Sequence, residues 1–156
     1  MQPELSVQWI VKRLSPWTPW KDRERAPGAD GKGVCGVYVL AHYSSGPPTK
    51  VDPLDEAVVR IGESTAKNAG LGKRLKQFDR TAFRGANSHG PAKRYRKLRS
   101  AKEKILYVST LPVQPYGSGD KDRPASRARA FTKAAERLLL WQYVERNGHL
   151  PCANGE

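Results

Sequence analysis

Hydrophobic and polar positions along this chain follow two periods, and the switches between them mark the elements. Leu5, Trp9, Ile10 and Leu14 recur at helical spacing behind Pro3, which predicts a short amphipathic helix over 3–14. Prolines and glycines make 15–33 irregular, and Trp17 and Trp20 are expected to pin that segment to the core rather than stack on bases. Residues 34–42 then form an apolar, β-branched run with Gly36, Tyr38 and Leu40 facing one way and Cys35, Val37, Val39 and Ala41 the other. A polar, Pro-rich loop over 43–55 leads to a second strand over 57–62. There Val58, Arg60 and Gly62 share one face and Val59 and Ile61 the opposite one. This alternation puts Tyr38 and Arg60 on a common surface.

Beyond Gly62 the period lengthens. Leu71, Leu75 and Phe78 form a helical stripe, flanked by Lys73, Arg74, Lys76 and Arg80. After a break over 85–91, residues 92–102 read as a very basic helix or arm. Residues 104–110 read as a third strand, and 111–127 as a long polar loop. The strongest helix spans 127–147, apolar around much of its girth through Phe131, Ala135, Leu138, Leu139 and Trp141, and closed by Asn147-Gly148. The expected fold class is α/β (α+β): a small, three-stranded, mainly antiparallel sheet flanked by helices. It consists of a lead-in over 1–33 and a domain over 34–156, one compact unit overall.

Charge sharpens this picture more than composition does. The 156 residues carry a net charge of +13, which calls for a polyanionic partner, and nucleic acid is the usual one. Between Arg60 and Lys104 there are 14 lysines and arginines against three acids, so this segment is the expected phosphate-facing surface. Its bases Lys73, Lys76, Arg80, Arg84, Lys93, Arg94, Arg96, Lys97 and Arg99 are the candidate nucleic-acid contacts. The cysteines, Cys35 and Cys152, lack metal-site spacing with His42 and His149 and suggest a reducing compartment. No secretion signal opens the chain and no apolar stretch approaches the ~20 residues of a membrane span, so a cytoplasmic location without membrane contact is expected.

The order Gly36-Val37-Tyr38, then Arg60-Ile61-Gly62, then a helical Arg74, resembles the GIY-YIG nuclease superfamily over roughly 34–155. The resemblance implies a divalent-metal-dependent endonuclease acting on DNA, with RNA as an alternative substrate, as a monomer or homodimer. It implies that Glu136, on the helix after the third strand, holds Mg²⁺ or Mn²⁺. Arg74 would contact the scissile phosphate, a task suited to a permanently charged, bidentate guanidinium. Tyr38 would help to deprotonate the attacking water, His89 would assist proton transfer, and Asn154 would support the site from the C-terminal segment.

At one position the chain departs from the family: Arg60 stands where the second motif carries Tyr. Arginine does not give up its proton in proteins, so it cannot act as a base, but it can favour a neighbouring phenolate or bind phosphate. The reading is a modified rather than a dead site, with Tyr43 as a possible stand-in for the missing phenol. The rival is a catalytically inactive, basic nucleic-acid-binding protein that retains the fold.

Overall fold

The computed structural model describes residues 5–30, 33–65, 70–98, 101–113 and 123–155. Its first helix, α1 (Val7–Arg13), begins where the Ser6 hydroxyl accepts a hydrogen bond from the Trp9 amide at 3.1 Å. The cap is therefore Ser6, three residues inside the expected start, and Pro3 lies outside the described residues. The chain next forms a two-residue strand, β1 (Thr18–Pro19), and a 3-10 turn over Trp20–Arg25. Strands β2 (Cys35–His42) and β3 (Val58–Ser64) follow, then helices α2 (Gly70–Phe83) and α3 (Gly90–Arg96). A 3-10 turn over Glu103–Ile105, strand β4 (Leu106–Val113) and helix α4 (Arg123–Asn147) complete the order.

The sheet is antiparallel throughout, in the order β1-β4-β2-β3. It has four strands, not three. Thr18 pairs with Val108 and Pro19 with Tyr107, which extends the sheet with a segment whose prolines disguise it in the sequence. The lead-in thus belongs to the sheet, and fully buried Trp20 belongs to its core.

Helices cover both faces of the sheet. Val37, Val39, Ala41 and Ile61 pack with Ile10 of α1 and with Ala135, Leu139 and Tyr143 of α4. Tyr38, Leu40 and Val108 pack on the opposite face with Trp20, Leu71, Leu75, Phe78 and Tyr95. Burial on both faces explains why β2 reads as one apolar run rather than a half-polar alternation. Large apolar side chains buried this fully contribute about 1.5–3 kcal/mol each.

The long helix differs from its expected form. It starts four residues earlier than expected, and it is apolar along one stripe rather than around its girth: Trp141 is 61 % exposed. The basic helix α3 is also shorter than expected. It stops at Arg96, docked through a 2.7 Å hydrogen bond between Tyr95 Oη and His42 Nε2.

Candidate active site

The strand β3 organises the site, and a bulge decides which side chains it presents. Tyr38 pairs with Gly62, Leu40 with Arg60, but Ala41 with Val58, so Val59 is an extra residue. Arg60, Gly62 and Ser64 therefore share the α2 face with Tyr38, as alternation expects for Tyr38 and Arg60. Val58 and Val59 exchange the sides that strict alternation assigns them: Val58 packs with Ile61, and Val59 joins Trp20 and Tyr38. The strand also runs two residues past the expected end, adding Glu63 and Ser64.

Gly62 is required by the phenol above it, because a β-carbon there would lie 2.5 Å from the Tyr38 oxygen. The Tyr38 ring is fully buried, and its hydroxyl has no hydrogen-bond partner among the described residues. Arg60 Nε, Ser64 Oγ and Arg74 Nε are likewise buried and unpartnered. Each such group costs about 1–3 kcal/mol unless something polar meets it.

Arg74 projects from α2 beside His89, with Nη1 3.5 Å from Nε2. His89 is buried and caps α3, its Nδ1 accepting from the Ala92 amide at 3.3 Å. Burial, then the charges of Arg74 and Arg60, push its imidazole down to about 4. The ring is thus neutral at neutral pH, and its Nδ1 is committed to the helix. A stability consequence follows. The unfolded imidazole, near 6.5, takes up a proton that the folded one refuses until about 4, so stability falls as pH drops through that window. The wild type should lose up to about 3 kcal/mol between those limits relative to His89→Asn. Urea denaturation of both proteins across the window checks this, and parallel curves would contradict it.

Glu136 approaches from the other side of the sheet. It is half-buried on α4, and burial and then the Glu63 carboxylate push its carboxyl above the ordinary value, while Arg60, Arg137 and Lys133 pull it down. Because β3 is an edge strand, the charge of Arg60 reaches both Glu136 on one face and His89 on the other. Tyr38, Arg60, Arg74 and His89 are gathered on one face, and Glu136 joins them only across the sheet edge through Arg60.

Asn154 closes that edge. Its side chain accepts from the Ile61 amide at 3.0 Å and donates to the Ile61 carbonyl at 2.8 Å, and the Ala153 amide donates to the Val59 carbonyl at 2.8 Å. Asn154 is thus a positioning residue for β3. Tyr43 is no stand-in for the missing phenol. It stacks edge-on against Trp17 and Tyr107, with burial and the acids Asp55 and Asp52 pushing its hydroxyl up to about 12.

The basic segment divides in two. Arg96 spends its donors on the Thr81 and Ala86 carbonyls and on Asn87, Arg84 pairs with Glu103 and Asp79, and Arg94 donates to the Asn154 carbonyl. These three brace loops and are less available to phosphate than the sequence suggests. Lys73, Lys76, Arg80 and Lys97 are exposed, Lys93 is half-exposed, and Arg99 lies outside the described residues. Arg23, Lys73, Lys76 and Arg80 line a hollow of about 660 Å³ beside α2, together with Glu24 and Asp30. Tyr38, Arg60, Arg74, His89 and Glu136 do not line it, so the hollow neighbours the cluster rather than enclosing it.

Sequence reasoning missed Glu63 and Ser64. A longer β-run through Gly62-Glu63-Ser64 was the available signal, but two polar residues after a glycine break the apolar pattern that marks the strand. Among the described residues no three His, Cys, Asp or Glu side chains are grouped to share a metal ion, and no helix is long and apolar enough to cross a membrane. Comparison of the chain with protein-family models, with curated proteins and with solved structures finds no match.

Proposed function

We propose that the chain is a GIY-YIG-like, divalent-metal-dependent DNA endonuclease whose site lies at the β3 edge. One observation carries the reading: of the seven buried side-chain atoms without a hydrogen-bond partner among the described residues, Tyr38 Oη, Arg60 Nε, Ser64 Oγ and Arg74 Nε lie on β2, β3 and the helix α2 that covers them, apart from Trp17 Nε1 and Tyr43 Oη in the opposite core. Two guanidiniums, a hydroxyl and a phenol left unmet on adjoining elements suit a charged, oxygen-rich ligand, which supplies acceptors to all of them. A phosphodiester is such a ligand, and the net charge of +13 favours its approach.

In this reading Arg74 binds the scissile phosphate and stabilises the charge that builds on its oxygens during attack. Tyr38 takes the proton of the attacking water, and Arg60 adds a second contact to the phosphate. The exposed bases along α2, Lys73, Lys76 and Arg80, track the flanking backbone.

The donor chemistry fits a hydrated divalent cation. Glu136 is held above its ordinary range partly by Glu63, whose Oε2 is buried and unpartnered, and a cation relieves both the repulsion and the missing contact. Mg²⁺ needs only one or two carboxylates because it keeps its waters, so Glu136, with Glu63 beside it, is a sufficient set. When bound, the ion would supply Lewis-acid stabilisation of phosphate oxygens.

Supercoiled plasmid with Mg²⁺ or Mn²⁺ tests the proposal. Nicking or linearisation is expected, abolished by chelator and lost in Glu136→Ala and in Tyr38→Phe. Cleavage that survives in both variants would sink the assignment. Binding without cleavage in either metal would favour the inactive nucleic-acid-binding protein, the reading that Arg60 in place of a motif tyrosine supports. A parallel digest of RNA separates the two substrates.

A further inference from the structure

Both ring nitrogens of His89 face a hydrogen-bond donor. Nδ1 lies 3.3 Å from the Ala92 amide, and Nε2 lies 3.5 Å from Arg74 Nη1. A neutral imidazole has one lone pair and one N–H to offer, so it can satisfy only one of them. The Ala92 amide belongs to the first turn of α3 and can only donate, while Arg74 sits on a flexible side chain at the outer limit of hydrogen bonding. The lone pair therefore belongs on Nδ1 and the proton on Nε2. The ring is also held in place, edge-on to Phe78 at 5.8 Å, with the His89 amide donating to Thr81 Oγ1 at 3.3 Å.

This leaves two donors, an imidazole N–H and a guanidinium, side by side with no acceptor between them among the described residues, where Arg74 Nε is also buried and unpartnered. We infer that His89 Nε2–H and the Arg74 guanidinium form a clasp for an anionic oxygen of the phosphate class. His89 then acts as a neutral donor that is locked by its own helix cap, not as a base. The clasp itself follows from hydrogen-bond valence; only its use on a scissile phosphodiester rests on the proposed nuclease function. The residue's buried, dehydrated setting makes a hydrogen bond to a charged oxygen strong.

The test uses the full chain in chelator at neutral pH, so that no cleavage intervenes. Nitrogen–proton correlation spectra of the imidazole should show the Nε2–H tautomer. Inorganic phosphate in one arm and a short single-stranded DNA in another should move the His89 Nε2–H and Arg74 Nε–H signals together. A response to DNA alone identifies the nucleic-acid backbone as the source of the oxygen; a response to both identifies a general phosphate clasp. His89→Asn keeps an N-cap acceptor for Ala92 but loses reach towards Arg74. Its melting temperature should hold while affinity for the responding probe falls about ten-fold. An Nδ1–H tautomer, unmoved signals in both arms, or undiminished affinity in His89→Asn would overturn the clasp. Because the readout needs neither metal nor turnover, an inactive protein could still show it and an active nuclease could lack it.

Discussion

Arg74→Met should lower the rate of plasmid cleavage by about 10²–10³-fold while leaving the protein as stable as the wild type or slightly more so. The two effects have one cause. Arg74 keeps a buried Nε without a partner among the described residues and aims its Nη1 at His89 Nε2, the nitrogen left carrying the proton once Nδ1 caps α3. Holding a cation in that setting is a standing cost, and methionine retains much of the apolar stem without the charge. Removing the unmet N–H should contribute about 1 kcal/mol of stability. Lysine should restore little of the rate, because an ammonium keeps the charge but not the bidentate fork. Single-turnover cleavage and urea melts on the same preparations decide the matter. A variant that cleaves poorly only because it is partly unfolded would make Arg74 structural.

The largest loss of stability is expected at Asp79. This carboxylate is 5 % exposed, accepts the Trp20 indole N–H at 2.8 Å, and pairs with Arg23 at 3.1 Å and Arg84 at 3.4 Å. It ties the lead-in turn over Trp20–Arg25 to α2, the helix that carries Arg74. Asp79→Ala strands a fully buried indole N–H and a mostly buried guanidinium, and should cost about 3 kcal/mol. Arg84 is half-exposed and adds little to that figure. Asp79→Asn keeps an acceptor for Trp20 and should cost about 1 kcal/mol. Urea midpoints measure both. Near-equal midpoints for Asp79→Ala and wild type would show that the carboxylate is idle. Cleavage per folded molecule should be unchanged, since Asp79 is not among the unpartnered groups around β3.

What could be read from the order of residues was what depends on near neighbours. Period-two alternation through Tyr38 and Leu40, the stripe Leu71, Leu75, Phe78 and the Asn147-Gly148 stop are each set within a few residues, where side-chain direction follows backbone geometry directly. The concentration of positive charge between Arg60 and Lys104 is likewise a property of the chain alone. Thr18–Pro19 escaped because a two-residue strand has no period, and only pairing with β4 makes it one. The exchange of Val58 and Val59 escaped because a bulge is defined by the opposing strand, not by the strand that carries it. Trp141 misled because an apolar residue on a helix states what it would gain from burial, not whether a partner surface exists to bury it. Arg84 and Arg96 read as phosphate contacts until the fold brought Asp79, Glu103 and the Thr81–Asn87 turn to them. Glu136 and His89 come under one arginine only because β3 lies at the sheet edge, and that is a matter of strand order. Local stereochemistry thus determined the elements, their charge and the motif residues. Tertiary structure alone decided which polar groups are satisfied and which are left waiting, because satisfaction depends on contacts between residues far apart in the chain.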